Sequence, residues 1–235
     1  GDHRDLHVRS RRQRQMCIRD RADIAIIDYG MGNLHSVSKA FEYVAPSASI
    51  IVTSDPDEVR KATRVVFPGQ GAMPNCMKEM DARGLRDAVV ESALNKPFLG
   101  ICIGLQMLFE KSEEGDVKGL GILSGQIRRF PSASMIDAEG QKLKVPHMGW
   151  NTVKQKYDHI LWRSIPDESF FYFVHSYYAQ ANTESYIFSS TNYQVDFTTS
   201  ILKDNMLACQ FHPEKSSKYG LQFLSNFMNW TEELK

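Results

Sequence analysis

The 235-residue chain carries 28 basic and 28 acidic residues and is 42% hydrophobic, enough to bury a sizeable core in one domain while projecting no global field that would recruit a nucleic acid. Its four cysteines, at positions 17, 76, 102 and 209, form no Cys-x-x-Cys pair and no Cys/His cluster of zinc-ligand spacing, so neither a disulfide framework nor a structural metal is suggested and a cytoplasmic, reducing compartment fits best. No apolar run approaches the ~18 residues of a membrane span, and no signal-peptide core follows the N-terminus.

Residues 1–23 differ from everything after them. They hold seven Arg against four Asp with almost no apolar periodicity, so the expectation is a disordered or non-native leader preceding one domain at 24–235. A basic nucleic-acid arm or a transit peptide is the alternative, and the interspersed Asp residues oppose the latter. Without the leader, 21 basic residues face 24 acidic ones, a net charge of −3.

Ile24 to Ile27 predicts a buried first strand, and Asn33 to Val44 a helix with Leu34, Val37, Phe41 and Val44 on one face. Gly30-Met31-Gly32 between them lacks the third glycine of a dinucleotide fingerprint, since position 35 is His. A second strand (50–53), a short helix (55–62, Pro56 near its start) and a third strand (64–67) follow. That alternation implies an α/β fold with an open, mostly parallel sheet covered by helices on both faces. Pro68-Gly69-Gln70-Gly71 then sits at a strand end, where ligands of such sheets collect, although a plain Gly/Pro turn explains it equally well.

A helix over 83–95 leads into Pro97-Phe-Leu-Gly-Ile-Cys-Ile-Gly-Leu-Gln-Met-Leu-Phe-Glu110. An apolar run meets Cys102 and then a helix-compatible run extending to about Lys111, so Cys102 falls on a strand-to-helix elbow. Gly100 and Gly104 bracket it where side chains would collide across so tight a turn. The start of the following helix favours negative charge on the sulfur. The alternative is a small buried cysteine in a glycine-rich core turn. Gln106 lies one helical turn beyond the elbow on a similar face.

From Gly119 to Tyr178 shorter strands (125–130, 151–153, 169–174) predict an antiparallel extension, interrupted by a polar loop at 132–141. Phe170 to Phe173 is aromatic on both faces and reads as a core strand. Leu207 to Phe211 reads as a buried strand stopped by Pro213, in a hairpin with 198–203 around Asp204-Asn205, which delivers His212 to the sheet edge with Glu214 two residues on, the same side of an extended chain. That is the nucleophile, base and orienter pattern, Cys102, His212 and Glu214. His147 and His175 compete as bases, but neither has a carboxylate two residues away. Residues 217–230 close the chain as a helix, with Leu221, Leu224 and Met228 on one stripe and Phe223, Phe227 and Trp230 on a neighbouring one.

Gly-Ile-Cys-Ile-Gly-Leu-Gln and Gln-Phe-His-Pro-Glu together resemble the class I, or triad, glutamine amidotransferases. Ile27-Asp-Tyr-Gly-Met-Gly-Asn-Leu34, Phe67-Pro-Gly-Gln-Gly-Ala72, Pro146-His-Met-Gly-Trp-Asn151 and Phe173-Val-His-Ser-Tyr-Tyr178 run in the order of the glutaminase subunits of imidazole glycerol phosphate synthase, over about residues 24 to 230. The resemblance implies hydrolysis of glutamine through a cysteine thioester, without cofactor or metal. It implies delivery of the ammonia to a (β/α)₈-barrel cyclase subunit in a heterodimer that makes imidazole glycerol phosphate and an aminoimidazole carboxamide ribotide for histidine biosynthesis. It also implies an oxyanion hole from the backbone N–H groups of Gln70 and Ile103, substrate contacts at Gly69, Gly71, Gln106, His175, Ser176 and Tyr177, and a partner interface at Asn33 and Trp150. Gln70 departs from the Val common in the family. The alternative for Trp150, behind a glycine, is a core residue. The alternatives are the glutaminase of another synthase (pyridoxal phosphate or anthranilate), a free-standing cysteine hydrolase, and a non-catalytic subunit with relic triad residues.

Overall fold

The computed structural model describes residues 21–131 and 143–230. Most of the expected leader, and the polar loop expected at 132–141, therefore lie outside the described residues. Asp23 accepts from the Ser49 N–H, and the Ala22 carbonyl accepts from the Thr63 N–H, so chain pairing begins two residues before the first strand.

The first half alternates as expected: β1 (Ile24–Ile27), α1 (Leu34–Val44), β2 (Ile50–Thr53), α2 (Pro56–Lys61), β3 (Arg64–Gly69), then two helices, α3 (Met73–Ala82) and α4 (Arg86–Asn95), and β4 (Phe98–Cys102). Polar caps set the helix starts. The Asn33 side chain accepts from the Ser36 N–H, and Asp55 caps α2 ahead of Pro56. Helix α3, which the sequence reading omits, has Ala72 at its cap position and takes its capping carboxylate from Glu114, 2.7 Å from the Met73 nitrogen.

A five-residue helix, α5 (Ile103–Met107), follows β4. It does not run to Lys111 as predicted, because the chain from Phe109 joins the sheet as β5 (Phe109–Ser112). After it come β6 (Val117–Lys118), β7 (Leu123–Arg129), β8 (His147–Gln155), β9 (Ser169–His175), β10 (Tyr177–Ala181), β11 (Ile187–Asn192), β12 (Asp196–Lys203), β13 (Met206–Cys209) and α6 (Ser217–Asn229). The described strands form one mixed sheet in the order β2-β1-β3-β4-β13-β12-β10-β7-β5-β6, with β11, β8 and β9 branching from β12. Pairing is parallel from β2 through β13 and antiparallel through most of the remainder, the extension that the short strands imply.

Strand β13 lies between β4 and β12 rather than at a lateral edge, so Cys102 and His212 leave adjacent interior strands at the same end. β1, β4 and β13 are buried along their whole length, as expected of strands covered on both faces. Helices α1 and α6 pack together through Phe41 and Phe227, and α2 packs on α4. On α6 the Phe223, Phe227 and Trp230 stripe is buried, whereas Leu221 and Met228 are half-buried. β9 is not aromatic core on both faces. Phe171 and Phe173 point inward, and Phe170 is 56% exposed because only one face of the β8–β9 hairpin meets the core. Among the described residues no helix is long and apolar enough to cross a membrane, and no three potential metal ligands cluster.

Candidate active site

Strand β4 ends on Cys102, whose backbone has φ 55° and ψ −107°, a conformation that costs on the order of 1–3 kcal/mol in an L-residue. Neighbouring strands enforce it: Gly69 of β3 pairs with Cys102, and Cys209 of β13 with Ile101. The bracketing glycines are needed for close approach. A Cβ on Gly104 would overlap the Phe67 carbonyl oxygen, and one on Gly100 would lie 3.1 Å from the Gly104 backbone. Helix α5 can therefore lie flat on the strand ends and begin directly after the sulfur, although Cys102 makes no side-chain capping bond to it and at five residues its dipole acts only through the first turn.

His212 follows β13 and is 4% exposed. Its N–H donates to the Tyr172 carbonyl (2.9 Å), and its own carbonyl accepts from Ser216 Oγ (2.6 Å), which in turn accepts from the Tyr172 N–H (2.9 Å). One hydroxyl thus ties the His212 backbone to β9. Nδ1 lies 2.8 Å from Glu214 Oε1, whose side chain is almost fully buried. The pairing is as expected but its geometry is not: residues 213–215 form a 3₁₀ turn, not an extended segment, and the turn brings the carboxylate back to the ring. Nε2 is left for the Cys102 sulfur. Burial favours the neutral imidazole, yet the Cys102 sulfur and the Glu214 carboxylate outweigh it and raise the ring to about 10.

The predicted oxyanion segment borders the same place. Gly69 is pressed against the Tyr29 hydroxyl with no room for a Cβ, and Gly71 has φ 101°, so both glycines are required. The Gln70 carbonyl accepts from the Cys76 thiol (3.6 Å), while the Gln70 side chain is exposed, so its length is accommodated in solvent. Ile103 opens α5 immediately after the sulfur. A cleft of about 700 Å³ brings together Cys102, His212, Gln70, Gly71, Ile103, Gln106, His175, Ser176 and Tyr177. Gly69 does not line it but pairs with Cys102. Asn33 and Trp150 do not line it: Asn33 caps α1, and Trp150, 51% exposed and so not a core residue, stands on the outer face of β8 against Tyr172.

The competing histidines are bonded to each other rather than to Cys102 or Glu214. The His175 Nδ1–H donates to the Tyr177 carbonyl (2.8 Å), and a carbonyl can only accept, so His175 Nε2 is left to accept from His147 Nδ1 (3.0 Å). His147 Nε2 is met by the Asn151 amide nitrogen (3.3 Å), which also donates to the Asn192 carbonyl (3.0 Å). Both ends of the chain are fixed by carbonyls, so both rings are neutral with their tautomers set. Burial lowers His147 to about 4 and His175 to about 3. Neither is free to act as a base. Lys215, Glu114 and the Gly30–Gly32 turn also line the cleft. The sequence reading missed Lys215 and Glu114 because they come from turns with no pattern of their own, and it missed Gln210, which donates to Cys102 Sγ at 3.5 Å, because a glutamine inside an apolar strand carries no periodic signal.

A family model described as glutamine amidotransferase class-I matches residues 25–230. The imidazole glycerol phosphate synthase subunit HisH of Nitrosospira multiformis is 61% identical over 209 residues, which cover 88% of this chain and 98% of that one. The subunit of the same description from Thiobacillus denitrificans is 58% identical over 208 residues, 88% of this chain and 91% of that one. Among solved structures, PurLQS from Thermotoga maritima is similar with a TM-score of 0.63 at 14% identity, covering 89% of this chain and 97% of that chain. A glutamine amidotransferase from the same organism has a TM-score of 0.55 at 16% identity, covering 85% and 78%. At those identities the structures speak for the fold alone.

Proposed function

The chain belongs to the class-I glutamine amidotransferase family, in the branch of the HisH subunits of imidazole glycerol phosphate synthase, and from that premise we propose which of its residues do the chemistry and what it docks against. It is the glutaminase subunit of that synthase, supplying ammonia for histidine biosynthesis. In our reading the Cys102 sulfur attacks the side-chain amide carbon of glutamine. The tetrahedral oxyanion is held by the backbone N–H groups of Gln70 and Ile103. Charged His212 gives its Nε2 proton to the departing nitrogen, the C–N bond breaks, and ammonia leaves a γ-glutamyl thioester. Neutral His212 then takes a proton from water, hydroxyl adds to the thioester carbon, and the sulfur departs with glutamate as product. Glu214 keeps the ring oriented throughout.

The observation that carries this reading is the strained Cys102 elbow facing a buried imidazole that a carboxylate orients. The partner proposed is the (β/α)₈-barrel cyclase. Met148, Trp150 and Phe170 are all more than half exposed on the outer face of the β8–β9 hairpin, and Val174, the pairing neighbour of Met148, lines the cleft. An exposed apolar patch beside the cleft suits a subunit that receives ammonia there. The test is Cys102→Ala in the assembled synthase, with His212→Ala and Glu214→Ala beside it. Glutamine-dependent turnover should vanish while synthesis from added ammonium persists, since only ammonia release uses the sulfur. His212→Ala should cost orders of magnitude and Glu214→Ala less, because an unoriented imidazole can still act as a base. Glutamine hydrolysis retained without the thiol would defeat the assignment.

A further inference from the structure

Gln210 is wholly buried at the end of β13 and is used by no step above. Its surroundings fix which way its amide points. The Tyr177 carbonyl can only accept, so the group 3.2 Å from it must be the Gln106 amide nitrogen. That nitrogen's second hydrogen is directed at Gln210 at 3.0 Å, which must therefore present its oxygen. The Gln210 nitrogen is then left facing Cys102 Sγ at 3.5 Å. A main-chain carbonyl thus orients two side-chain amides in series, and the series ends as a hydrogen-bond donor on the nucleophile.

We propose that Gln210 is a catalytic residue of this glutaminase, whose amide N–H donates to the Cys102 sulfur and stabilises it as the thiolate, with Gln106 and the Tyr177 carbonyl as the positioning groups that keep the donor aimed. The proposal rests on the catalytic reading of Cys102. A hydrogen bond to a charged acceptor is roughly twice as strong as one to a neutral acceptor, so the bond favours thiolate over thiol. It also holds the sulfur as the thioester forms and breaks. Gln106 itself lines the cleft, and its Oε1 is buried without a partner, so the end of the relay remote from the sulfur has an unused acceptor.

Other groups feel that sulfur. His212, backed by Glu214, follows β13 and couples to the sulfur, as do Cys209 on β13, Tyr29 after β1 and Cys76 on α3. Burial raises the Tyr29 hydroxyl and the Cys76 and Cys209 thiols, Cys76 to about 11, so these three stay neutral near pH 7. Of the neutral groups named, Gln210 is the one whose donor hydrogen is directed at the sulfur.

The experiment is the second-order rate of Cys102 alkylation by iodoacetamide across pH 5–9, mapped by peptide, in the full chain of the wild type, Gln210→Met and Gln210→Glu, each checked for folding by circular dichroism. Loss of one donor to a charged acceptor should move the pH profile of Gln210→Met upward by about one pH unit or more, slowing alkylation about ten-fold on its rising limb. Gln210→Glu, which brings an acceptor in place of the donor, should be slower still. Should one variant fail to fold, the other carries the comparison, and Gln106→Leu, which removes the positioning amide, should shift the profile in the same direction by less. Rates within two-fold of wild type and an unmoved profile in folded variants would overturn the proposal. A wild type whose Cys102 reacts no faster than Cys76 or Cys209 would overturn the catalytic reading itself, and the proposal with it.

Discussion

Acid should destabilise this protein through the His147–His175 pair, and the size of the effect follows from the structure. Each ring is neutral in the fold, lowered to about 4 and about 3 by burial, against about 6.5 in the unfolded chain. Below pH 6.5 the unfolded chain therefore binds two protons that the folded one refuses, and stability falls with pH until the folded rings charge near 4 and 3. From pH 6.5, where half the unfolded rings are already protonated, to pH 5.0, the loss is on the order of 3 kcal/mol for the pair. His212 has the opposite sign. Its raised value makes its contribution essentially complete below 6.5 and lost as pH climbs toward about 10, so it adds almost nothing to the acid slope. The measurement is guanidinium unfolding at pH 6.5 and 5.0 of the wild type and of His147→Gln/His175→Gln. The double variant will be less stable at both values, but the difference between them should shrink by about 3 kcal/mol. A wild type and double variant with equal differences would show that the pair does not carry the acid response.

Gly104→Ala places a Cβ on the Phe67 carbonyl, so α5 must lift off β3. The expected cost is about 3 kcal/mol or more, the upper end for overpacking, read as a lower Tm together with loss of glutaminase activity, and an unchanged Tm would mean that α5 does not lie flat on the strands. Trp150→Ala removes an exposed ring and should leave stability within about 0.5 kcal/mol while weakening binding of the proposed partner subunit. Unfolding of that variant would return Trp150 to the core.

Much of this protein is decided locally and can be read in one dimension. Apolar runs punctuated by Gly, Pro and capping Asn33 and Asp55 are enough to place β1, α1, β2, α2 and β4, because strand burial and cap hydrogen bonds depend on neighbours within a few residues. The elbow is legible for the same reason: Gly100 and Gly104 mark a close approach by what they lack, and Pro213 marks the end of a strand. Tertiary structure decided the rest. α5 stops at Met107 because Phe109 pairs with β7, a partner fourteen residues on that no local pattern announces. Phe170 lies outside and Phe171 inside because of which face of β9 meets the core. His147 and His175 could have served as bases on sequence grounds. They are disqualified by a hydrogen-bond chain that closes only when β8, β9, β10 and β11 meet. The aim of Gln210 at Cys102 is set by a carbonyl at Tyr177, 33 residues away in the chain, since an amide looks the same from either side until an obligate acceptor fixes its orientation.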